Sequence, residues 1–198
     1  MPPIIIHVSG SPGSGKTHIM DHLPLKTGVV TKDLDDICTP MFESKEWKAI
    51  GDDDAGRARK FEIYHDYFTF GIQKFVDGHK NASLIILFGL TVFFPNFPNF
   101  SDKTKKTYAD FPPNTLFRYF IDIQTKELIR RRWIREVEKE VEEDKAALLK
   151  GDGSLHFDAS EIKEYASMER RAFEDRGYFF ETQDVIQKHL SIFMEMFA

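Results

Sequence analysis

The sequence predicts an α/β fold, a five-stranded parallel sheet covered by helices on both faces, within one domain spanning residues 1–198. Three observations carry this expectation. Short, apolar, β-branched runs alternate with stretches whose apolar residues recur every three or four positions, the pattern of strands joined by crossover helices. The first such run leads directly into a glycine-rich loop and then a helix-forming stretch. Of the 198 residues, 41% are hydrophobic and 30% charged, which suits a packed core and excludes disorder over the whole length.

Each element has its own signal. Ile4 to Ser9 is apolar without alternation, as a central strand buried on both faces should be. Lys16 to Leu23 reads as a helix stopped by Pro24. Gly28 to Lys32 is the second strand, with Asp33, Leu34, Asp35 and Asp36 at its carboxyl end. Met41 to Ile50 is expected as one short helix and Gly51 to Gly56 as an acidic turn. Phe61, Tyr64, Phe68, Ile72, Phe75 and Val76 keep helical spacing up to Gly78. Leu84 to Phe88 is a third buried strand, and Phe93 to Pro113, with four prolines, is loop. Leu116 to Ile121 is the fourth strand. A long charged helix starts at Thr125, carries Ile129, Trp133, Val137 and Val141, and is interrupted at Gly151-Asp152-Gly153. Asp158 and Glu161 have capping-box spacing for a helix ending near Gly177. Tyr178 to Glu181 is the last strand. Thr182 can cap a final helix whose apolar face holds Val185, Ile186, Leu190, Phe193 and Phe197.

Composition narrows the function. A net charge of -5 and a pI near 5.8 argue against a nucleic-acid coat or a polybasic membrane binder, which need clustered positive charge. Cys38 is the single cysteine, so an internal disulfide is excluded and a reducing compartment is expected. The longest apolar runs, Pro2 to Val8 and Ser83 to Phe94, are too short to cross a bilayer. The N-terminus lacks a basic segment ahead of its apolar run, and a cytoplasmic location is expected. No histidine has zinc-ligand spacing with Cys38.

Gly10-Ser11-Pro12-Gly13-Ser14-Gly15-Lys16-Thr17 matches the Walker A pattern, between a strand and a helix. Its glycines let successive N–H groups face inward as an anion nest, at a helix start that already favours negative charge. Lys16 can reach the β- and γ-phosphates of a nucleotide, and Thr17 offers a hydroxyl to Mg2+. Asp53-Asp54-Ala55-Gly56 fits a GTPase Asp-x-x-Gly only formally, because it follows no strand and no base-reading Asn-Lys-x-Asp occurs.

Ser9 to Thr17 resembles the loop of adenylate-kinase-type and shikimate-kinase-type small-molecule kinases, and size and element order agree over most of the chain. The resemblance implies a sheet of order 2-3-1-4-5, a substrate-binding region at about residues 34–80 and a helical, arginine-bearing lid at about 132–158. Asp33-Leu34-Asp35 is similar to the Asp-x-Asp element of shikimate-type and gluconate-type kinases. On that resemblance Asp33 orders Mg2+ with its waters and Asp35 takes the proton of an attacking hydroxyl. A helix-capping acidic turn is the competing reading. Glu127 to Arg135 looks like the helix entering the lid, where planar guanidinium groups clamp phosphates and stack on the base. Arg132 and Arg135 are the best matches for the catalytic clamp and Arg131 for nucleotide contact, against the alternative of a solvated charged face. Arg170 and Arg171 are further candidates. Arg57 and Arg59 are candidates for an acceptor phosphate, and Phe93, Phe94, Phe97, Phe100, Tyr108 and Phe111 for an acceptor wall.

Two departures refine the expectation. Leu84 to Leu87 is followed by Phe88-Gly89-Leu90, without the Walker B acid. Only Gly89 stands where shikimate kinases carry three glycines, which points away from shikimate as acceptor. The leading expectation is therefore an ATP- and Mg2+-dependent phosphotransferase acting on a nucleoside, a nucleotide or a hydroxyl metabolite. It works as a monomer or homodimer, without a membrane, and a nucleic-acid end is disfavoured as acceptor. The alternative is a nucleotide-binding switch or a non-catalytic P-loop protein.

Overall fold

A computed structural model of the chain describes residues 2–51, 53–89, 115–135, 158–175 and 177–197. The elements run β1 (Ile4–Ser9), α1 (Lys16–Asp21), β2 (Val29–Asp33), α2 (Asp35–Glu43), α3 (Lys45–Ala49), α4 (Asp54–Gly78), β3 (Leu84–Phe88) and β4 (Thr115–Ile121). Then follow α5 (Thr125–Trp133), α6 (Ala159–Glu174), β5 (Phe179–Glu181) and α7 (Gln183–Phe197). The strands are parallel in the order β2-β3-β1-β4-β5, the order implied by the resemblance. Val8 and Asp33 both lie opposite Phe88, and Ser9 lies opposite Phe120. The carboxyl ends of β1, β2, β3 and β4 thus share one edge, where an open parallel sheet places its ligands.

Strand alternation sends side chains to two cores. Ile6, Val8, Ile86, Phe88, Tyr119 and Ile121 pack with Ile19 of α1 and with Ile186, Leu190 and Met194 of α7. Ile5, Ile85 and Leu87 point the other way, onto Leu34, Ile37, Cys38 and Met41 and onto Phe68, Ile72 and Val76 of α4. Phe120 completes that second layer against Phe173 of α6 and Tyr178. Burial of β3 throughout and of β1 from Ile5 onward explains why neither run alternates in hydropathy.

Some boundaries differ from expectation. The helix expected over Met41 to Ile50 is two helices. Ser44 turns extended, with ψ 148°, and its hydroxyl accepts from Trp47 N to cap α3. Pro40 inside α2 removes a helical N–H one turn earlier, which favours that early stop. On α7 the deepest residues are Ile186, Leu190 and Met194, with Phe193 and Phe197 packed at the margin. Met194 continues the four-residue step from Ile186, a face shifted from the expected one. Asp158 does cap α6, accepting from Ser160 N and Glu161 N. The aromatics of Phe93 to Phe111, Val137, Val141, the Gly151–Gly153 interruption and most of the stretch 132–158 fall outside the described residues. Among the described residues no helix is long and apolar enough to cross a membrane.

One buried polar group ties the layers together. His7, in the middle of β1, is fully buried. Its Nε2 lies 3.1 Å from Gly89 O and its Nδ1 2.6 Å from the Tyr178 hydroxyl. A carbonyl only accepts, so Nε2 carries the proton and Nδ1 accepts from Tyr178. Burial, then Arg118 and Lys16, hold this imidazole neutral, with its pKa lowered to about 3. An imidazole kept neutral in the fold and free to protonate when unfolded costs stability as pH falls. The loss is expected to begin below the ordinary value of 6.5 and to continue to about 3. Unfolding curves of wild type and His7→Asn across that range test this, and the variant's stability should depend less steeply on pH.

Candidate active site

The site grows from the turn between β1 and α1. Ser14 N donates to Ser11 O at 2.9 Å, which curls the loop. Gly13 and Gly15 take left-handed backbone, φ 87° and 102°, where a side chain costs about 1–2 kcal/mol. Space is as restrictive as conformation. A Cβ on Gly13 would lie 3.2 Å from Arg132 Cγ, and one on Gly15 2.7 Å from Gln183 Oε1. Gly13→Ala is expected to destabilise the fold by about 1–3 kcal/mol and to weaken nucleotide binding, as denaturant unfolding and nucleotide titration of the same variant would show.

Lys16 opens α1, and its Nζ donates to Gly10 O at 2.6 Å and Ser11 O at 3.3 Å. Burial pushes the ammonium below its usual pKa, and Arg135 adds to that. Asp35, Glu169 and Asp33, in that order of strength, hold its charge in place. An ammonium surrounded by three carboxylates in the turn of an anion nest is poised to exchange partners with a phosphate. Ser9 Oγ and Ser14 Oγ are buried without a hydrogen-bond partner among the described residues, two more hydroxyls available beside the nest. Thr17 lies exposed in the first turn of α1.

The two candidate aspartates take different positions. Asp33 ends β2, and its Oδ1 accepts from Asp35 N at 3.0 Å. Leu34 stands at the capping position of α2 and supplies no side-chain cap, so Asp33 only takes the first helical N–H with one oxygen, and its second carboxylate oxygen takes no part in that bond. Asp35 begins α2, where partial burial and then Asp33 and Asp36 push its carboxyl up while Lys16 pulls it down. Asp36 turns away to Lys32, at 2.9 Å. Asp33 lies opposite Phe88 in the sheet register, so β2 brings a carboxylate beside the strand end that lacks one.

The arginines divide by face. Arg131 reaches the loop, with Nη1 3.4 Å from Ser14 O and Nε 2.8 Å from Glu127. Arg132 lies against Gly13, and Arg135 acts on Lys16 through its charge. Arg130 pairs with Glu127 on the outer side, at 2.7 Å. The two arginines beside Glu127 pull its carboxyl down to about 2. Arg170, a further clamp candidate, instead binds Asp122 at 2.6 Å and lies over the Phe180 ring. Arg57 pairs with Asp54 and Arg59 with Glu62, each a neighbour on its own helix.

Glu169 escaped the sequence reading. From α6 its Oε2 accepts from Ser11 Oγ at 2.5 Å. Burial pushes its carboxyl up, while Ser11, Lys16 and Arg132 pull it down. It is one acid among many on a charged helix, 158 residues from its partner, and no local pattern marks it.

Beside the loop opens a cleft of about 440 Å³, bounded by Ser14, the end of β4 (Asp122 to Gln124), Glu127 and Arg131 of α5, and Gln183 and Asp184 of α7. That volume is in the range of small-molecule sites.

Among known structures the chain is similar to the shikimate kinase of Acinetobacter baumannii in complex with shikimate. The TM-score is 0.56 and the identity 14%, covering 98% of this chain and 94% of that one. It is also similar to the shikimate kinase of Bacteroides thetaiotaomicron, with a TM-score of 0.50, 18% identity and coverage of 96% and 94%. No protein-family model and no curated protein sequence matches the chain. The chain has the P-loop small-molecule kinase fold.

Proposed function

We propose that the chain is a small-molecule kinase, moving the γ-phosphoryl group of ATP to an acceptor hydroxyl. The observation that carries this reading is the meeting at Lys16 of two parts: a glycine-built anion nest after β1, and the charge of the Asp35 carboxylate at the start of α2, just past the end of β2. A binding module needs the first; phosphoryl transfer needs both.

The nest, Lys16, Arg131 and Arg132 fit a polyphosphate, because they supply inward N–H groups and cations around buried hydroxyls. Gly10, Ser11, Pro12, Gly13, Ser14, Gly15, Lys16 and Thr17 would hold the phosphates, and the cleft against Arg131 the base and sugar. Among the described residues no cluster of three His, Cys, Asp or Glu could hold a metal. Mg2+ at a phosphate site needs no such cage, since phosphates and water supply most of its ligands. Thr17 and the second oxygen of Asp33 are the groups that would hold it, and it would neutralise charge on the β- and γ-oxygens.

Asp35 accepts the acceptor's proton as its oxygen attacks the γ-phosphorus. The bond from that phosphorus to the bridging oxygen breaks, and ADP leaves. Lys16, Arg132 and Arg135 stabilise the charge spread over the transferring group. A carboxylate raised above its usual pKa is a better base near neutrality. The acceptor enters by the region 34–80, where Phe42 of α2 contacts both Trp47 of α3 and Tyr64 of α4, a wall suited to a flat or partly apolar acceptor. The stretch 132–158 is the proposed lid. The test is ADP release from Mg-ATP over a panel of nucleosides, nucleoside monophosphates, sugar acids and oligonucleotide ends. One acceptor class should stimulate release; binding of Mg-ATP with no stimulation by any acceptor would favour a non-catalytic P-loop protein.

A further inference from the structure

Glu169 places a negative charge among the groups assigned above to phosphate. Its carboxylate takes the Ser11 hydroxyl. Lys16 and Arg132 attract it. The charges of Asp35 and Asp33 also hold the same Lys16, and that of Arg135 opposes them. Lys16 also donates to Ser11 O, so the residue that carries the Glu169 bond is itself part of the lysine's seat. A carboxylate and a phosphate drawn to one hydroxyl and the same two cations oppose each other, since like charges at a shared site raise each other's cost. Glu169 is half-buried, which weakens the screening of that repulsion.

We propose that Glu169 is a positioning residue that competes with the terminal phosphate of the nucleotide for Ser11, Lys16 and Arg132, and so sets how tightly the loop holds phosphate. The proposal rests on the phosphate-binding reading of the loop. It differs in sign from a bracing role. If Glu169 merely steadied Ser11, removing its charge would loosen the loop and weaken binding. If it competes, removing its charge tightens binding.

The experiment measures dissociation constants of Mg-ATP and of inorganic tripolyphosphate for wild type, Glu169→Gln, Glu169→Ala and Glu169→Asp, each first shown to be folded by its melting curve. Tripolyphosphate isolates the phosphate effect from the base cleft. The uncharged variants are expected to bind both probes about tenfold more tightly, within the usual range of such couplings, and Glu169→Asp to stay near wild type. Having two uncharged variants keeps the comparison open if one of them folds poorly. Equal or weaker binding by the uncharged variants, with wild type binding normally, would overturn the competition and leave the loop reading intact. If wild type binds neither probe, the loop reading fails and the competition with it.

Discussion

Lys16→Ala is expected to lower phosphoryl transfer by roughly a hundred- to a thousandfold, the loss typical of removing one group that stabilises transition-state charge. It should also remove most of the rise in melting temperature that ATP gives wild type, because that rise follows ligand affinity. Burial already depresses the Lys16 pKa, so the folded chain pays to keep this ammonium charged. Its replacement relieves that cost but removes two bonds to loop carbonyls and the cation facing Asp35, Glu169 and Asp33. A lysine kept for structure alone would leave the ATP stabilisation in place when it is lost. Melting curves with and without Mg-ATP separate the two.

Asp35→Asn carries the second large effect. It should reduce transfer to the acceptor by about a hundred- to ten-thousandfold, the range of general-base contributions, while nucleotide affinity holds or improves as a negative charge leaves the phosphate site. The wild-type pH profile gives an independent reading. The carboxylate must be ionised to accept a proton, and burial and then Asp33 push its pKa up. Activity is therefore expected to fall on the acid side at a pH above the ordinary carboxylate value, and the variant's residual activity should lack that limb. Equal rates in Asp35→Asn and wild type would remove Asp35 from the chemistry and leave its place at the start of α2 as its whole role.

What was legible in the sequence was what the chain encodes locally. The run Ile4 to Ser9 and the loop Gly10 to Thr17 are read from adjacent residues, and the structure places them as β1 and the turn into α1. The sheet order came through the resemblance carried by that loop and is the order observed. Asp158 was legible as a cap because its partners are two and three residues away. The arginines were legible only as a group: four of one charge on one helix do not say which faces the loop. That was decided by the contacts of Gly13 and Ser14 with α5. Least legible were the groups whose meaning lies in distant pairing. His7 reads as an odd polar residue in a strand until Tyr178, 171 residues on, supplies its hydrogen bond. Glu169 has no meaning until Ser11 is beside it. Ser44 was missed as a break because the residues on either side of it keep helix-forming character.

The central claim is that this site moves a phosphoryl group to a second molecule. The most direct test follows the γ-phosphate of labelled ATP in the presence of each acceptor, with Lys16→Ala alongside. With wild type, label is expected to leave ATP and appear covalently on one acceptor class; with the variant it stays on ATP. Label released only as inorganic phosphate whichever acceptor is present, or label retained on ATP by a wild type that binds it, would contradict the account.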